Sequence, residues 1–169
     1  MSKKSGFLFL VIAVFLSFPG DALQANEKPQ EAMDRVRTFS IKILEKSLQS
    51  ENAFIRSAAA RAAGESEYSG LIPFLKKAAK DSYHTTRLFA LQGIKKISLD
   101  EARAISIHMS RDPNIWVRGA AIEMLGELGD GALGNIIQPH LKSPDRTVRY
   151  AAAGALFKLG DENQLDVLL

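Results

Sequence analysis

His84, His108 and His140 are the side chains of this sequence best suited to metal or acid–base chemistry. A helical metal site needs a second ligand three or four residues along the same face. Within the helices predicted below, no carboxylate stands at that spacing from any of the three. With no cysteine in the chain, thiol nucleophiles, disulfides and Cys-ligated zinc or iron–sulfur sites are excluded. The glycines at 126, 129, 131 and 134 do not form a phosphate cradle, because no strand precedes them and no Gly-Lys-Ser/Thr follows. There is likewise no Gly-x-Ser-x-Gly elbow. The residues therefore predict no catalytic site, no metal and no cofactor. Lys76, Lys77, Lys80, Lys95 and Lys96 form the densest basic group. They read as a solvated helix face, with anionic head groups or acidic partners as the functional alternative.

Spacing shows what positions these residues. Arg56, Arg87, Arg118 and Arg149 stand 31 residues apart, and so do Ala59, Ala90, Ala121 and Ala152. A chain with ten arginines rarely places four of them in such register. The preceding column reads Ile55, Thr86, Val117, Val148, and others read Ala63, Ile94, Leu125, Leu156 and Phe74, Ile105, Ile136, Val167. Val117, Ala121, Met124, Leu125 and Leu128 make one apolar helical stripe. Asp112-Pro113-Asn114 and Ser143-Pro144-Asp145 supply turns, while Gly129-Asp130 and Gly160-Asp161 end one helix and cap the next.

The period predicts an all-α fold, a right-handed α-solenoid of about four helical hairpins. The expected helix pairs are 31–49 with 54–65, 68–80 with 84–98, 99–110 with 115–128, and 131–142 with 146–159. Residues 161–169 begin a fifth unit, and Pro139 should kink or shorten its helix. A hairpin of this size cannot bury its own apolar face, so the core forms between stacked neighbours.

The segment Asp-Pro-Asn-Ile-Trp-Val-Arg-Gly-Ala-Ala-Ile-Glu-Met-Leu-Gly-Glu-Leu-Gly-Asp at 112–130 resembles a HEAT repeat of the short type first noted in phycobilisome lyases. Ser143 to Asp161 is similar, with Thr147-Val148-Arg149 and Leu159-Gly160-Asp161, and the likeness extends over about 31–169. It implies that each column arginine bonds the turn aspartate of its own or the adjoining unit. Asp81 and Asp112 stand where that aspartate belongs, whereas Ser50 and Ser143 replace it in the other units. Arg56, Arg87, Arg118 and Arg149 with Asp81 and Asp112 thus read as a structural ladder. The deoxyhypusine hydroxylases, a HEAT-repeat enzyme family, hold iron through His-Glu dipeptides. Here the dipeptides are His84-Thr85, His108-Met109 and His140-Leu141, so the ligands are missing.

Binding should fall on the face that the second helices leave open. With the alanine column at the buried centre and 100° per residue, offsets −5, −2, +2, +5 and +9 point outward. Phe54, Leu88, Trp116, Tyr150 and Phe157 would then form an apolar strip, relieved by Gly119 and Gly154. Aromatic strips of this kind contact proteins or peptides. A competing reading folds Phe54 and Trp116 inward over the turns. Leu165–Leu169 either caps the last unit or supports self-association.

Lys3 and Lys4, the apolar run Phe7–Leu16, Pro19-Gly20 and the small residues to Ala25 have the layout of a secretory signal peptide, residues 1–25. Residues 26–30 read as a linker and 31–169 as the repeat domain. Spanning a bilayer takes about 20 apolar residues, more than this run supplies. Left uncleaved, it would serve as a membrane tether. Export to a bacterial periplasm is the expected destination. That address disfavours nucleic acid and the cytoplasmic tetrapyrrole chemistry of lyases. The formal charge of +3 on 169 residues indicates no polyanion partner by itself. The sequence predicts an exported protein- or peptide-binding scaffold, with an enzyme subunit using the same groove as the alternative.

Overall fold

The computed structural model describes residues 28–161 and 163, which contain eight α-helices and no strand. These are α1 (Pro29–Ser47), α2 (Ala53–Glu65), α3 (Ile72–Ala78), α4 (His84–Ile97), α5 (Leu99–Met109), α6 (Ile115–Glu127), α7 (Gly134–Ile137) and α8 (Arg146–Lys158). The described residues divide into two units, with the boundary between Ile43 and Leu44. The expected signal peptide and Leu165–Leu169 lie outside the described residues.

α1 begins two residues before its expected start, at Pro29, whose missing N–H costs nothing in a first helical turn. Glu31 in its first turn and Lys46 in its last complement the helix dipole. The Thr38 hydroxyl donates back to the Asp34 carbonyl at 2.8 Å.

The second unit is an α-solenoid. Its long second helices start at Ala53, His84, Ile115 and Arg146, a constant 31 residues apart. Three have side-chain N-caps. Asn52 accepts from the Phe54 N–H, Asn114 from those of Trp116 and Val117, and Asp145 from that of Val148. Gly129 and Gly160 follow α6 and α8 with φ of +68° and +94°, the left-handed geometry that ends a helix. Glu67 occupies the corresponding place after α2 with φ of +52°. Asp130 then caps the next turn by accepting from the Ala132 N–H at 3.0 Å.

First helices are shorter and less regular. A 3₁₀ turn, Ser69–Leu71, leads into α3, and Gly131–Leu133 leads into α7. As its lack of an N–H requires, Pro139 stops α7 after Ile137, and Gln138–Lys142 continues as 3₁₀ helix.

The alanine column is buried throughout, as are Thr86, Val117 and Val148 and the column Ala63, Ile94, Leu125, Leu156. Ile55 departs from its column and is exposed. Ala60, Leu91, Ile122 and Ala153, one residue past the alanines, are buried as well. The reason is that second helices pack on each other in addition to their own hairpin partners. α2 lies extensively against α4 and α6 against α8, while α4 and α6 touch less.

Side-chain size at one column accounts for that alternation. Position +5 from the alanines is Gly64, Lys95, Gly126 and Phe157 in the four units. Gly64 lies directly against the Gly93 backbone, and a Cβ on Gly126 would fall 2.5 Å from Ala155 Cα. Neither place could hold a side chain without separating the helices. Between α4 and α6 the equivalent residue is Lys95, which cannot be enclosed and instead pairs with Glu127. This corrects the outward assignment of offsets −2 and +5 in part: Ser57, Gly64, Gly119 and Gly126 are buried. Gly119 sits 3.9 Å (as a would-be Cβ) from Ala151 Cβ and relieves no open strip, whereas Gly154 faces open space.

Candidate binding surface

Each column arginine is placed by the first turn of a second helix, which aims it back over the preceding loop. Arg56 Nη1 donates to the carbonyls of Ser50 and Glu51, both at 2.8 Å, and Arg87 Nη1 to those of Asp81 and Ser82. The rest of the guanidinium crosses to the next unit. Arg56 Nε and Nη2 grip Asp81 at 2.5 and 2.8 Å, and Arg87 grips Asp112 in the same fork at 2.7 and 2.6 Å. Each aspartate also accepts a backbone N–H two residues on, from Tyr83 or Asn114, at 2.8 Å. The pairs are mostly withdrawn from solvent, with side-chain exposure of 16% and 10% in the first and 12% and 7% in the second. The Arg56 hydrogen bond holds the Asp81 carboxyl below its ordinary range, against the upward pull of burial.

The last two rungs differ. Arg118 Nη1 reaches the Asp112 carbonyl at 2.5 Å and Arg149 Nη1 the Ser143 and Pro144 carbonyls at 3.0 and 2.9 Å. Neither guanidinium grips a carboxylate among the described residues. Of the ladder residues, Arg56 with Asp81 and Arg87 with Asp112 come together; Arg118 and Arg149 join no acidic partner.

Of the five strip residues, Phe54 (72%), Trp116 (59%) and Phe157 (44%) are exposed, and Leu88 and Tyr150 are half-buried. Phe54 does not turn inward. Its ring meets Tyr83 of the next unit edge-on at 5.7 Å, and Tyr83 in turn lies 5.2 Å from the His84 ring. Tyr150 is held by Arg146, whose Nε donates to the phenol oxygen at 2.6 Å. Leu99, at the outward offset +9, is exposed as well, and so is Ile55.

The lysine group is divided by function. Lys76 pairs with Glu101 and Lys95 with Glu127, bracing adjacent units. Lys76, Lys77 and Lys80 also rim an open cavity of about 300 Å³ with Ala79, Ile105, His108 and Met109. His140 is half-buried, and burial together with Arg118 and Arg111 pushes its imidazole below the ordinary range. Among the described residues no three His, Asp or Glu side chains gather as a metal site would require, and no helix is long and apolar enough to cross a membrane.

Sequence reasoning missed the Phe54–Tyr83–His84 aromatic contact and the small-residue seams between second helices. The alternation Gly64, Lys95, Gly126, Phe157 was the available signal for the seams.

Residues 102–169, the third and fourth units, match the family model for HEAT repeats. No curated protein matches the chain.

Proposed function

We propose that this HEAT repeat protein is an exported, non-catalytic scaffold that holds a protein or peptide partner on its second helices. HEAT repeats generally serve as protein-interaction scaffolds. The 31-residue period supports a reading of these repeats as the short type. The observation that carries the binding reading is the exposure of Phe54, Trp116 and Phe157 on capped, closely packed helices. Large apolar side chains on a rigid support lose little conformational entropy on binding and remove much apolar area from water. That combination is what a binding anchor requires, and a solvated helix face would carry polar residues at those positions.

The signal-like start of the sequence supports a periplasmic location. A photo-reactive amino acid placed at Trp116 in cells tests both parts together. The expected product is a discrete cross-linked species in the periplasmic fraction, absent when the probe is moved to exposed Asn135 of α7, a first helix. A product confined to the cytoplasm refutes export, and equal labelling from both positions refutes the anchor.

A further inference from the structure

The arginine ladder repeats one device three times along the described chain, and its third copy lacks a component. In the first two rungs, a guanidinium fork closes on an aspartate that begins the next turn, Asp81 or Asp112. One period later that place is Ser143. The turn is otherwise unchanged, since Ser143 Oγ accepts the Asp145 N–H at 3.3 Å just as Asp81 and Asp112 accept theirs. A serine is shorter and uncharged, so it cannot reach or neutralise the fork. Asp145, the carboxylate of that turn, is used to cap α8 through the Val148 N–H at 3.1 Å and makes no ion pair with Arg118.

Arg118 is nevertheless oriented as its counterparts are. Its Nη1 is fixed on the Asp112 carbonyl, as Arg87 Nη1 is on the Asp81 carbonyl one period earlier, where Nε and Nη2 hold the aspartate of the next turn. Arg111 and Arg118 both lie near enough to His140 to disfavour its protonation, and neither arginine forms a salt bridge among the described residues. A preoriented planar fork with adjacent cationic groups and no internal anion is a receptor for a planar anion.

We propose that Arg118, with Arg111 and His140 beside it, forms a carboxylate-binding site at the junction of the third and fourth repeats. The carboxylate takes the place that the Asp81 and Asp112 side chains fill from within at the two earlier junctions. It comes either from a small free carboxylate or from an acidic side chain of a bound polypeptide. The site does not depend on the scaffold reading, because a small carboxylate alone tests it.

The experiment follows the Arg Nε–H signals of the full-length protein by nuclear magnetic resonance during titration with sodium acetate, with sodium chloride as the ionic-strength control. The Arg118 signal is assigned by its loss in Arg118→Gln. The expected result is a saturable shift of Arg118 with acetate, while the Arg56 and Arg87 signals, already engaged, stay in place. Ser143→Asp supplies the missing carboxylate internally. It should abolish the acetate response and raise the unfolding midpoint by about 2–4 °C. Should Ser143→Asp not fold, Arg118→Gln serves as the non-binding control, read on the Arg111 signal and the His140 ring. A second arm compares an Asp-containing peptide with its Asn counterpart. Preference for the peptide over acetate identifies a polypeptide source, and equal affinity per carboxylate identifies a free one. A shift matched by chloride, or an acetate response that survives Ser143→Asp, overturns the proposal.

Discussion

Replacing Gly126 with alanine should destabilise the protein although alanine is the better helix former. Gly126 lies inside α6, where exchange for alanine ordinarily stabilises by about 1 kcal/mol. The new methyl would fall 2.5 Å from Ala155 Cα, 2.6 Å from its Cβ and 2.9 Å from its carbonyl oxygen. Comfortable carbon contacts lie at roughly 3.5–4.0 Å, so α6 and α8 would have to separate by about 1 Å. Two of those three atoms are backbone and cannot rotate away. Overpacking of this kind costs roughly 1–3 kcal/mol, and the rigid neighbours favour the upper part of that range. The net expectation is a loss of about 1–2 kcal/mol. Gly154, in α8, is the internal control, since nothing lies within 4 Å of its would-be Cβ. Gly154→Ala should therefore stabilise by about 0.5–1 kcal/mol. Urea unfolding followed by circular dichroism measures both variants against the parent at constant m-value. If both changes stabilise, the close seam between second helices is not what fixes the repeat spacing.

Three further outcomes follow from particular residues. Thr86 is fully buried and its hydroxyl has no hydrogen-bond partner, while the same column holds Val117 and Val148. Thr86→Val should stabilise by about 1 kcal/mol, measured in the same urea titration. Glu67 holds the left-handed position that Gly129 and Gly160 fill elsewhere, so Glu67→Gly should raise the unfolding midpoint, by about 0.5–1 kcal/mol in stability, despite glycine's greater freedom in the unfolded chain. The pH profile has a definite sign. His140 and Asp81 both titrate lower in the folded state than their ordinary values of 6.5 and 3.8, so the unfolded chain binds more protons and stability falls on acidification. The His140 contribution is lost first, as pH drops below 6.5 toward its depressed value, and that of Asp81 is lost below 3.8. Thermal midpoints of His140→Gln should be flatter than the parent across the first window.

Much of this architecture is legible because the period is strict. Four second helices begin 31 residues apart, and the turn signals ending in Asn114 and Asp145 became caps of two of them. The interruption at Pro139 was equally legible, since a missing N–H acts locally. What could not be read from one helix was its environment on three sides. A helical wheel centred on the alanine column assigns Gly126 to solvent, but α6 lies between α4 and α8 as well as against α5, and most of its circumference is covered. The ladder was legible in its residue types, while the choice between own-unit and next-unit aspartates depended on how far apart the turns stack. Exposure of Phe54 and Trp116 also required the structure, because helix-start aromatics are equally able to cover their own turns.

The most direct test of the scaffold assignment is quantitative capture from envelope extract by the purified protein and by a variant carrying Phe54→Lys, Trp116→Lys and Phe157→Lys. These side chains are exposed, so the variant should keep the parent's helicity and unfolding midpoint. The account predicts a partner retained stoichiometrically by the parent and lost, at least tenfold, by the equally folded variant. Equal retention by both proteins would contradict it.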